Sequence, residues 1–236
     1  MIPYYGTPIT PDVAALAALR NAHAFVSWRR PDQLGLAVQV CQSYAVDNGA
    51  FSAWREGKPV TDWSAFYQFA DDCRRTPSCD FAVIPDVIDG SEADNDALLA
   101  EWPLGPAFGA PVWHMHESLD RLYRLVCDYP RVCFGSSGEF ATVGNTKWWT
   151  RMREAMLVAC DLRGRPLARF HGLRMLNPKV FSRLPFASAD STNIARNIGI
   201  DGAWSGAYPP GSKPGRAAVL RDRIEAHAAP PTWSFQ

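Results

Sequence analysis

The sequence predicts an α/β fold: a TIM-type (β/α)8 barrel that is irregular or incomplete at its termini. Short apolar runs alternate along the chain with segments of helical periodicity, which is the pattern of a parallel sheet with helices outside it. The 236 residues accommodate six to eight such units in a single domain, residues 1–236. A doubly wound open sheet is the alternative, but the sequence contains neither a GxGxxG nor a Walker-type phosphate loop to favour it.

Seven apolar runs are predicted strands, and six periodic segments are predicted helices. The strands are residues 23–27, 44–46, 81–84, 111–113, 132–134, 168–170 and 186–189. The only candidate for an eighth strand is 200–204. The helices are residues 62–75, 91–102, 117–127, 147–160, 177–184 and 216–227, and the loop before the last helix is 205–215. The second helix opens with Ser91 followed three residues later by Asp94, close to a capping box, and the fifth opens with Asn-Pro.

Composition excludes some classes of function. The formal net charge is zero, which argues against a protein held to nucleic acid by bulk electrostatics, although a local basic patch remains open. Candidates for such a patch, or for solvated helix faces, are Arg151, Arg153, Arg174, Arg183 and Arg196. Nine Trp residues suit either a buried core or flat platforms for rings such as bases and sugars.

The cysteines and the apolar runs indicate a cytoplasmic protein without a metal centre. None of the six Cys residues shows CxxC spacing, so no closed zinc site is signalled and reduced core thiols are expected. His114 and His116 form an HxH pattern that can bind metal, but no third ligand stands nearby in the sequence. No segment reaches the roughly 18 apolar residues of a membrane span, and residues 1–12 lack the regions of a signal peptide. We expect no cofactor and no membrane partner, and the oligomeric state stays open.

Segments that contain ionisable residues or glycines directly follow six of the predicted strands. They are Asp47; Pro85-Asp86; His114-Met115-His116; the loop Gly135-Ser136-Ser137-Gly138-Glu139; His171-Gly172; and Asp190-Ser191-Thr192. In a (β/α) barrel the carboxyl ends of all strands lie at one rim, where active sites are built. A turn is enough to explain a single polar strand end. Six such ends at one rim instead predict a pocket with three carboxylates, two or three imidazoles and a glycine loop.

Each of these residues also has a purely structural interpretation. Asp47 could cap the Asn-Gly turn that follows it, since both turn residues tolerate positive φ. Asp86 and Asp190 could be N-caps of the helices that come after them. His171 could be a hydrogen-bonded core histidine, and the glycine loop could be a plain connection.

Together with Phe51, four residues after Asp47, these groups suit a flat, polar heterocycle. An aromatic ring would stack on it, a carboxylate would accept from its N–H groups, and amides of the glycine loop would donate to its carbonyl. Two further carboxylates could then supply nucleophilic and acid–base chemistry at an acetal-like carbon.

The chain resembles the tRNA-guanine transglycosylases, and more closely their short phage-type relatives linked to 7-deazaguanine modification of DNA. The matching pieces, in the family's order, are VDNGAF (46–51), IPD (84–86), PVWHMHESLDRL (111–122), FGSSGEF (134–140) and HGLRMLNPKVFSRLPFASADST (171–192). The resemblance implies a TIM barrel that exchanges guanine for a deazaguanine, a queuine-type base, through a covalent enzyme–ribose intermediate.

The resemblance also implies roles for individual residues. Asp190 matches the nucleophile, and Asp47 matches the aspartate that assists as acid or base or positions the nucleic acid. Phe51 matches the aromatic ring that stacks on the base, and Asp86 the carboxylate that reads the guanine edge. The other substrate-binding candidates are His114, where the family usually has Gln, Gly135 and Ser136 in the loop facing the base, and His171 at its strand end.

The resemblance also indicates which nucleic acid is the expected substrate. The family's tRNA enzymes are longer and carry a Cys-rich zinc motif near the C-terminus that supports tRNA binding. No Cys follows Cys160 here and no separate zinc subdomain is expected, so DNA is favoured over tRNA. The expected partners are nucleic acid and a free purine or 7-deazapurine base. Two alternatives remain open: an N-glycoside hydrolase using the same pocket, that is, a DNA glycosylase or nucleosidase, and a non-catalytic protein that binds a modified base or nucleotide.

Overall fold

Nine parallel strands form a nearly closed barrel in the computed structural model, which describes residues 1–199, 204, 206 and 208–234. Within these residues the strands are β1 (Ile2–Gly6), β2 (His23–Ser27), β3 (Ser43–Asp47), β4 (Cys79–Val83), β5 (Gly109–Ala110), β6 (Val112–His114), β7 (Arg131–Gly135), β8 (Arg169–Gly172) and β9 (Ser188–Ser191). Their hydrogen-bonded order is β5-β4-β3-β2-β1-β9-β8-β7-β6, and every pair is parallel. The α/β TIM-type barrel predicted from the sequence is confirmed.

The seam of the barrel lies at Pro111. β5 pairs with β4, whereas β6, which follows β5 after this one residue, pairs with β7. Proline has no N–H to donate to a ladder, although the Pro111 carbonyl accepts from the Cys133 N–H at 2.8 Å. A single bent segment of chain therefore contacts both edges of the sheet, and no ladder joins β5 to β6 themselves.

Helices alternate with the strands and cover the outside of the barrel. In the described residues they are α1 (Asp12–Leu19), α2 (Leu34–Val40), α3 (Ala50–Arg55), α4 (Ser64–Arg74), α5 (Glu92–Glu101), α6 (Leu119–Asp128), α7 (Thr146–Ala159), α8 (Pro178–Phe181), α9 (Asn193–Asn197) and α10 (Lys213–Glu225). Ser91 and Asp94 form a capping box at the start of α5, and Asn177 caps α8, as the sequence signals indicate.

Two apolar layers hold the barrel together. Inside it, Tyr4, Phe25, Phe81 and Cys133 belong to a plug of buried side chains. Outside it, apolar side chains of the strands pack against the buried faces of the helices. Because the interior is filled, the barrel is a packed core rather than a pore, and its functional surface lies at the strand ends.

The structure differs from the sequence-based expectation at the terminal strand and at the short helices. Ile2–Gly6 forms β1 between β2 and β9, although a five-residue run interrupted by Pro3 gives no clear strand pattern. The candidate strand 200–204 lies outside the described residues, apart from Trp204. Helices α1, α2, α3 and α9 have only five to eight residues each, too few turns for helical periodicity to be visible in the sequence.

All six cysteines have free thiols; Cys73, Cys133 and Cys160 are buried, whereas Cys127 is exposed. The expectation of core thiols therefore holds for only part of the set.

In the part of the chain that the structure describes, no helix combines the length and the apolar character needed to cross a membrane.

Candidate active site

A cavity of about 410 Å³ opens at the carboxyl ends of the strands. Seven of the eight predicted site residues contribute to its lining: Asp47, Phe51, Asp86, His114, Gly135, Ser136 and Asp190. The eighth, His171, lies beneath the cavity and outside its lining. The parallel topology thus brings together residues that are far apart in the sequence.

Asp190, near the end of β9, has a carboxylate that is held through one of its two oxygens. Oδ1 accepts a hydrogen bond from the Arg174 backbone N–H at 2.9 Å and lies 3.3 Å from His171 Nε2. Oδ2 has no hydrogen-bond donor among the residues that the structure describes. Helix α9 begins at Asn193 with Thr192 as its N-cap, so Asp190 is not a helix cap. A fixed carboxylate with one uncommitted oxygen, only 5% exposed, is well arranged to act as a nucleophile.

His171 supports Asp190 from below and is fully buried. Its Nδ1 shares a 2.8 Å hydrogen bond with Ser188 Oγ, and its ring stacks on Phe25 with 5.2 Å between the centroids. Burial lowers the pKa of His171, although the Asp190 carboxylate opposes this change. The imidazole therefore contacts the Asp190 carboxylate rather than the cavity, and its role is to position that group.

Asp86, in the loop after β4, has a partner on each carboxylate oxygen. Asn48 Nδ2 donates to Oδ1 at 2.8 Å, and His114 Nε2 lies 2.9 Å from Oδ2. The same Asn48 side chain donates to the Ile84 carbonyl and accepts from the Ala50 N–H in the first turn of α3. Helix α5 has its own capping box, so Asp86 does not cap it. The sequence indicates Asn48 only as part of a turn, yet it joins β3, the Asp86 loop and α3.

Asn48→Ala is expected to lower the free energy of unfolding by about 2 kcal/mol. The change leaves the buried Ile84 carbonyl and one Asp86 oxygen without their donor, and it removes a hydrogen bond at the start of α3. Urea unfolding measures the loss. The matched control is Asn145→Ala, which removes only the N-cap of α7 and is expected to cost about 1 kcal/mol. Equal losses in the two variants would contradict the wider role of Asn48.

Asp47 ends β3 and shares the cavity with the other two carboxylates. Burial, followed by the negative charges of Asp190 and Asp86, raises the pKa of Asp47 to about 7. The Ser27 hydroxyl and the Gly49 N–H oppose the rise in part. Gly49 adopts a φ of 76°, a backbone conformation that favours glycine, and this turn directs its N–H toward Asp47. A carboxyl group that is half protonated near neutral pH can either donate or accept a proton.

Asp47→Asn is expected to stabilise the protein at pH 8 by on the order of 2 kcal/mol, but to have little effect at pH 4. Folding raises the pKa of Asp47 from 3.8 to about 7, so the folded state binds more protons than the unfolded state between these values. The favourable contribution of protonated Asp47 is complete below pH 3.8 and is lost as the pH rises through 7. Urea unfolding at both pH values measures the difference, with Asp120→Asn on the exposed face of α6 as control. A gain of equal size at pH 4 would show that ionisation is not its cause.

Phe51 lies in the second position of α3, and one face of its ring is already covered. The guanidinium carbon of Arg174 is 3.8 Å from the ring centroid, and Arg174 Nη2 is 3.4 Å from the Ser136 carbonyl oxygen. Arg174 has a φ of 58°, which is uncommon for a residue other than glycine, and this turn directs its N–H to Asp190. One residue thus links the aromatic ring, the glycine loop and the nucleophile candidate.

Comparison with known proteins identifies no relative. No family model, curated protein or solved structure matches the chain. The function is therefore inferred from the geometry of the cavity and from the sequence motifs.

A buried ionic network holds the backbone of His114 in place. The His114 backbone N–H donates to Glu117 Oε2 at 2.8 Å, and Glu117 in turn pairs with Arg121 at 2.7 Å and accepts from Asn95 at 3.0 Å. His116 lies nearly parallel to His114, with 5.7 Å between the ring centroids. Within the described residues, no group of three or more His, Cys, Asp or Glu side chains is arranged to hold a metal ion.

Arginines surround the mouth of the cavity, above the carboxylates: Arg30, Arg55, Arg174 and Arg196. Arg30 pairs with Asp32, whereas Arg55 and Arg196 have no carboxylate partner in the described part of the chain. Arg151 points inward instead, where it donates to the Met115 carbonyl, so it does not belong to this group. Of the five arginines that the sequence offered as a phosphate patch, Arg174 and Arg196 lie at the cavity.

Proposed function

We propose that the chain is an N-glycosyl transferase that exchanges guanine for a 7-deazaguanine base in nucleic acid, DNA rather than tRNA, through a covalent bond between Asp190 and the sugar. The observation that carries the proposal is the convergence of Asp47, Asp86 and Asp190 on one cavity, where burial, followed by the charges of Asp190 and Asp86, raises the pKa of Asp47 to about 7. The reaction needs a nucleophile, an acid–base group that titrates near neutral pH and a group that binds the base. The resemblance to the transglycosylases assigns the same three residues to these tasks.

The slot against Phe51 suits a flat base. The Arg174 guanidinium occupies that slot at 3.8 Å from the ring, and we expect the base to displace it toward the mouth of the cavity. Asp86 then accepts hydrogen bonds from N–H groups on the edge of the base, and Asn48 and His114 hold its carboxylate in place. Guanine and 7-deazaguanine carry the same N–H donors on this edge, so both can bind.

The chemistry balances with two carboxyl groups. Asp190 Oδ2 attacks C1′, the bond between C1′ and N9 of guanine breaks, and the electron pair left on N9 takes the proton of Asp47. Neutral guanine leaves, and a sugar ester of Asp190 remains. The incoming base then gives its N9 proton to the Asp47 carboxylate as N9 attacks C1′ and the ester oxygen departs. Asp190 and Asp47 end in the states in which they began.

The capping geometry favours a functional role for Asp86 and Asp190 over a purely structural one. If Asp86 and Asp190 served only as helix caps, their presence at the strand ends would need no functional explanation. Helix α5 starts from Ser91 and helix α9 from Thr192, so neither carboxylate has that task. Both are buried at the cavity without an arginine or lysine side chain as ion-pair partner among the described residues, so burying their charge costs stability, and a functional reason for that cost is expected.

Incubation of the protein with single-stranded DNA, double-stranded DNA or tRNA in the presence of labelled guanine tests the proposal. Label that enters DNA, and fails to enter with Asp190→Ala, would establish base exchange. Abasic sites without label would mean that water is the acceptor and that the protein is an N-glycoside hydrolase. Label in tRNA alone would overturn the choice of polymer, and neither product in any sample would overturn the enzymatic assignment.

A further inference from the structure

We infer that Trp54, Arg55 and Arg196, beside the mouth of the cavity, form a subsite for the nucleotides that flank the target, and that the bound strand is unpaired there. We name these three residues the flanking subsite. The inference rests on the proposed function for the nucleotide inside the cavity, but it concerns binding outside it.

Trp54 is an exposed aromatic residue whose orientation is fixed by contacts with Phe51 and Asp89. It lies one turn after Phe51 on α3, with 5.6 Å between the two ring centroids and 36° between the ring planes. Trp54 is 42% exposed, and its indole N–H donates to Asp89 Oδ2 at 2.6 Å. Core packing does not account for an exposed indole, whereas an exposed ring of fixed orientation is a platform on which a base can stack.

Arg55 and Arg196 carry positive charge at the same mouth. Both are exposed residues of the cavity lining, and neither has a carboxylate partner in the residues described. The chain has a net charge of zero, so this charge is local rather than part of a positive surface. The guanidinium fork matches the geometry of phosphate. With carboxylates at the floor and arginines at the rim, the charges fit a base inside the cavity and phosphates outside it.

The arrangement of the two rings favours an unpaired strand. In a duplex, the bases next to a flipped nucleotide stay paired and stacked, and their faces are not available to an indole. Because Phe51 and Trp54 are only 5.6 Å apart, a base on Trp54 belongs to a nucleotide adjacent to the target. A free nucleoside bound in the cavity would leave Trp54 and both arginines without contacts to the ligand.

Fluorescence anisotropy tests the flanking subsite by binding alone. The probes are labelled five-nucleotide strands with a central guanine, as DNA and as RNA, and a DNA duplex of the same central sequence; guanosine monophosphate is the competitor. We expect the single strand to bind at least about tenfold more tightly than the duplex, and Trp54→Ala to weaken single-strand binding about tenfold. Competition by guanosine monophosphate should not change in this variant. Arg55→Gln should lower the slope of log affinity against log salt by about 0.7.

Matched variants separate binding from folding. Trp54→Phe keeps an aromatic face and should retain most of the affinity, although it loses the hydrogen bond to Asp89. Tyr123→Ala removes an aromatic residue that is exposed on α6, and Arg153→Gln removes an exposed arginine on α7. Both should bind every probe as the wild type does, and all variants should share one urea midpoint.

The outcomes distinguish this inference from the proposed function. Unchanged single-strand affinity in Trp54→Ala, or duplex binding as tight as single-strand binding, would overturn the flanking subsite even if labelled guanine enters the polymer. Conversely, Trp54-dependent binding without label incorporation and without abasic sites would support the flanking subsite and reject the proposed function. Trp54-dependent binding of either DNA or RNA supports the subsite, and the tighter strand identifies the polymer.

Discussion

Asp190→Asn is expected to lower the rate of base exchange by at least about a thousandfold while the fold stays intact. The amide cannot attack C1′, so the sugar ester does not form. Its carbonyl oxygen can still accept the hydrogen bond from the Arg174 N–H, which keeps the turn after β8 in place. Single-turnover transfer of labelled guanine measures the rate. A denaturing gel reports the covalent protein–DNA species, which we expect with the wild type and not with the variant.

Asp120→Asn is the matched control for this experiment. It makes the same chemical change in the first turn of α6, at an exposed position away from the cavity, and it should exchange at the wild-type rate. A urea midpoint for Asp190→Asn close to that of the wild type would show that the lost activity is a loss of chemistry. Exchange at an undiminished rate, or a covalent adduct in the variant, would remove Asp190 from the reaction.

The three carboxylates of the cavity could be predicted from sequence because their signal is local. Asp47, Asp86 and Asp190 each stand at or just after the end of a short apolar run, and strand–helix alternation implies that such ends meet at one rim. The sequence therefore indicates which residues share the rim. It does not indicate which side chains turn into the cavity and which turn beneath it, since that depends on the twist and stagger of neighbouring strands.

The supporting contacts could not be predicted for the same reason. His171 stands at a strand end like the others, but it lies under Asp190 and stacks on Phe25, a residue from a strand far away in the chain. The stacking of Arg174 on Phe51 depends on a backbone with positive φ at an arginine, which no residue pattern indicates. Asn48 has a recognisable turn signal, but its hydrogen bond to Asp86 joins two strands through tertiary structure.

The secondary-structure elements show the same division. Local residue patterns predict some strands, whereas others are defined by tertiary contacts. Strand β2 matches its predicted bounds because HAFVS is a continuous, mostly apolar run with a β-branched and an aromatic residue. Strand β1 is defined by hydrogen bonds to β2 and β9 on its two sides, which a five-residue segment with a proline does not reveal by itself. The predicted strand 111–113 is found as β6 (Val112–His114), which begins one residue later because Pro111 has no N–H to donate and separates β6 from β5.

The rate constant kcat/KM for exchange is expected to fall about tenfold for each pH unit above 7, so that about one hundredth of the activity remains at pH 9. Guanine leaves as a neutral base only if Asp47 is protonated, and the pKa of Asp47 is about 7. Above that value the protonated fraction drops tenfold per pH unit. Asp47→Asn should be slow at every pH and should lack this limb of the profile. A wild-type profile that is flat between pH 6 and 9 would exclude Asp47 as the acid.

Burial is the largest cause of the raised pKa of Asp47, and the two negative charges that add to it belong to the groups that react with and bind the substrate, which gives a second test. Asp86→Asn removes one of the two negative charges, so the midpoint of the profile should move to lower pH. Carbon-13 NMR of the Asp47 carboxyl in Asp190→Asn, which cannot turn over, should show a lowered pKa without any assay of activity. A pKa that stays at about 7 in both variants would mean that burial alone raises it. If the charges matter, formation of the neutral Asp190 ester lowers the pKa of Asp47 at the moment when guanine needs a proton, and the resulting carboxylate is then the base that the incoming N9–H requires.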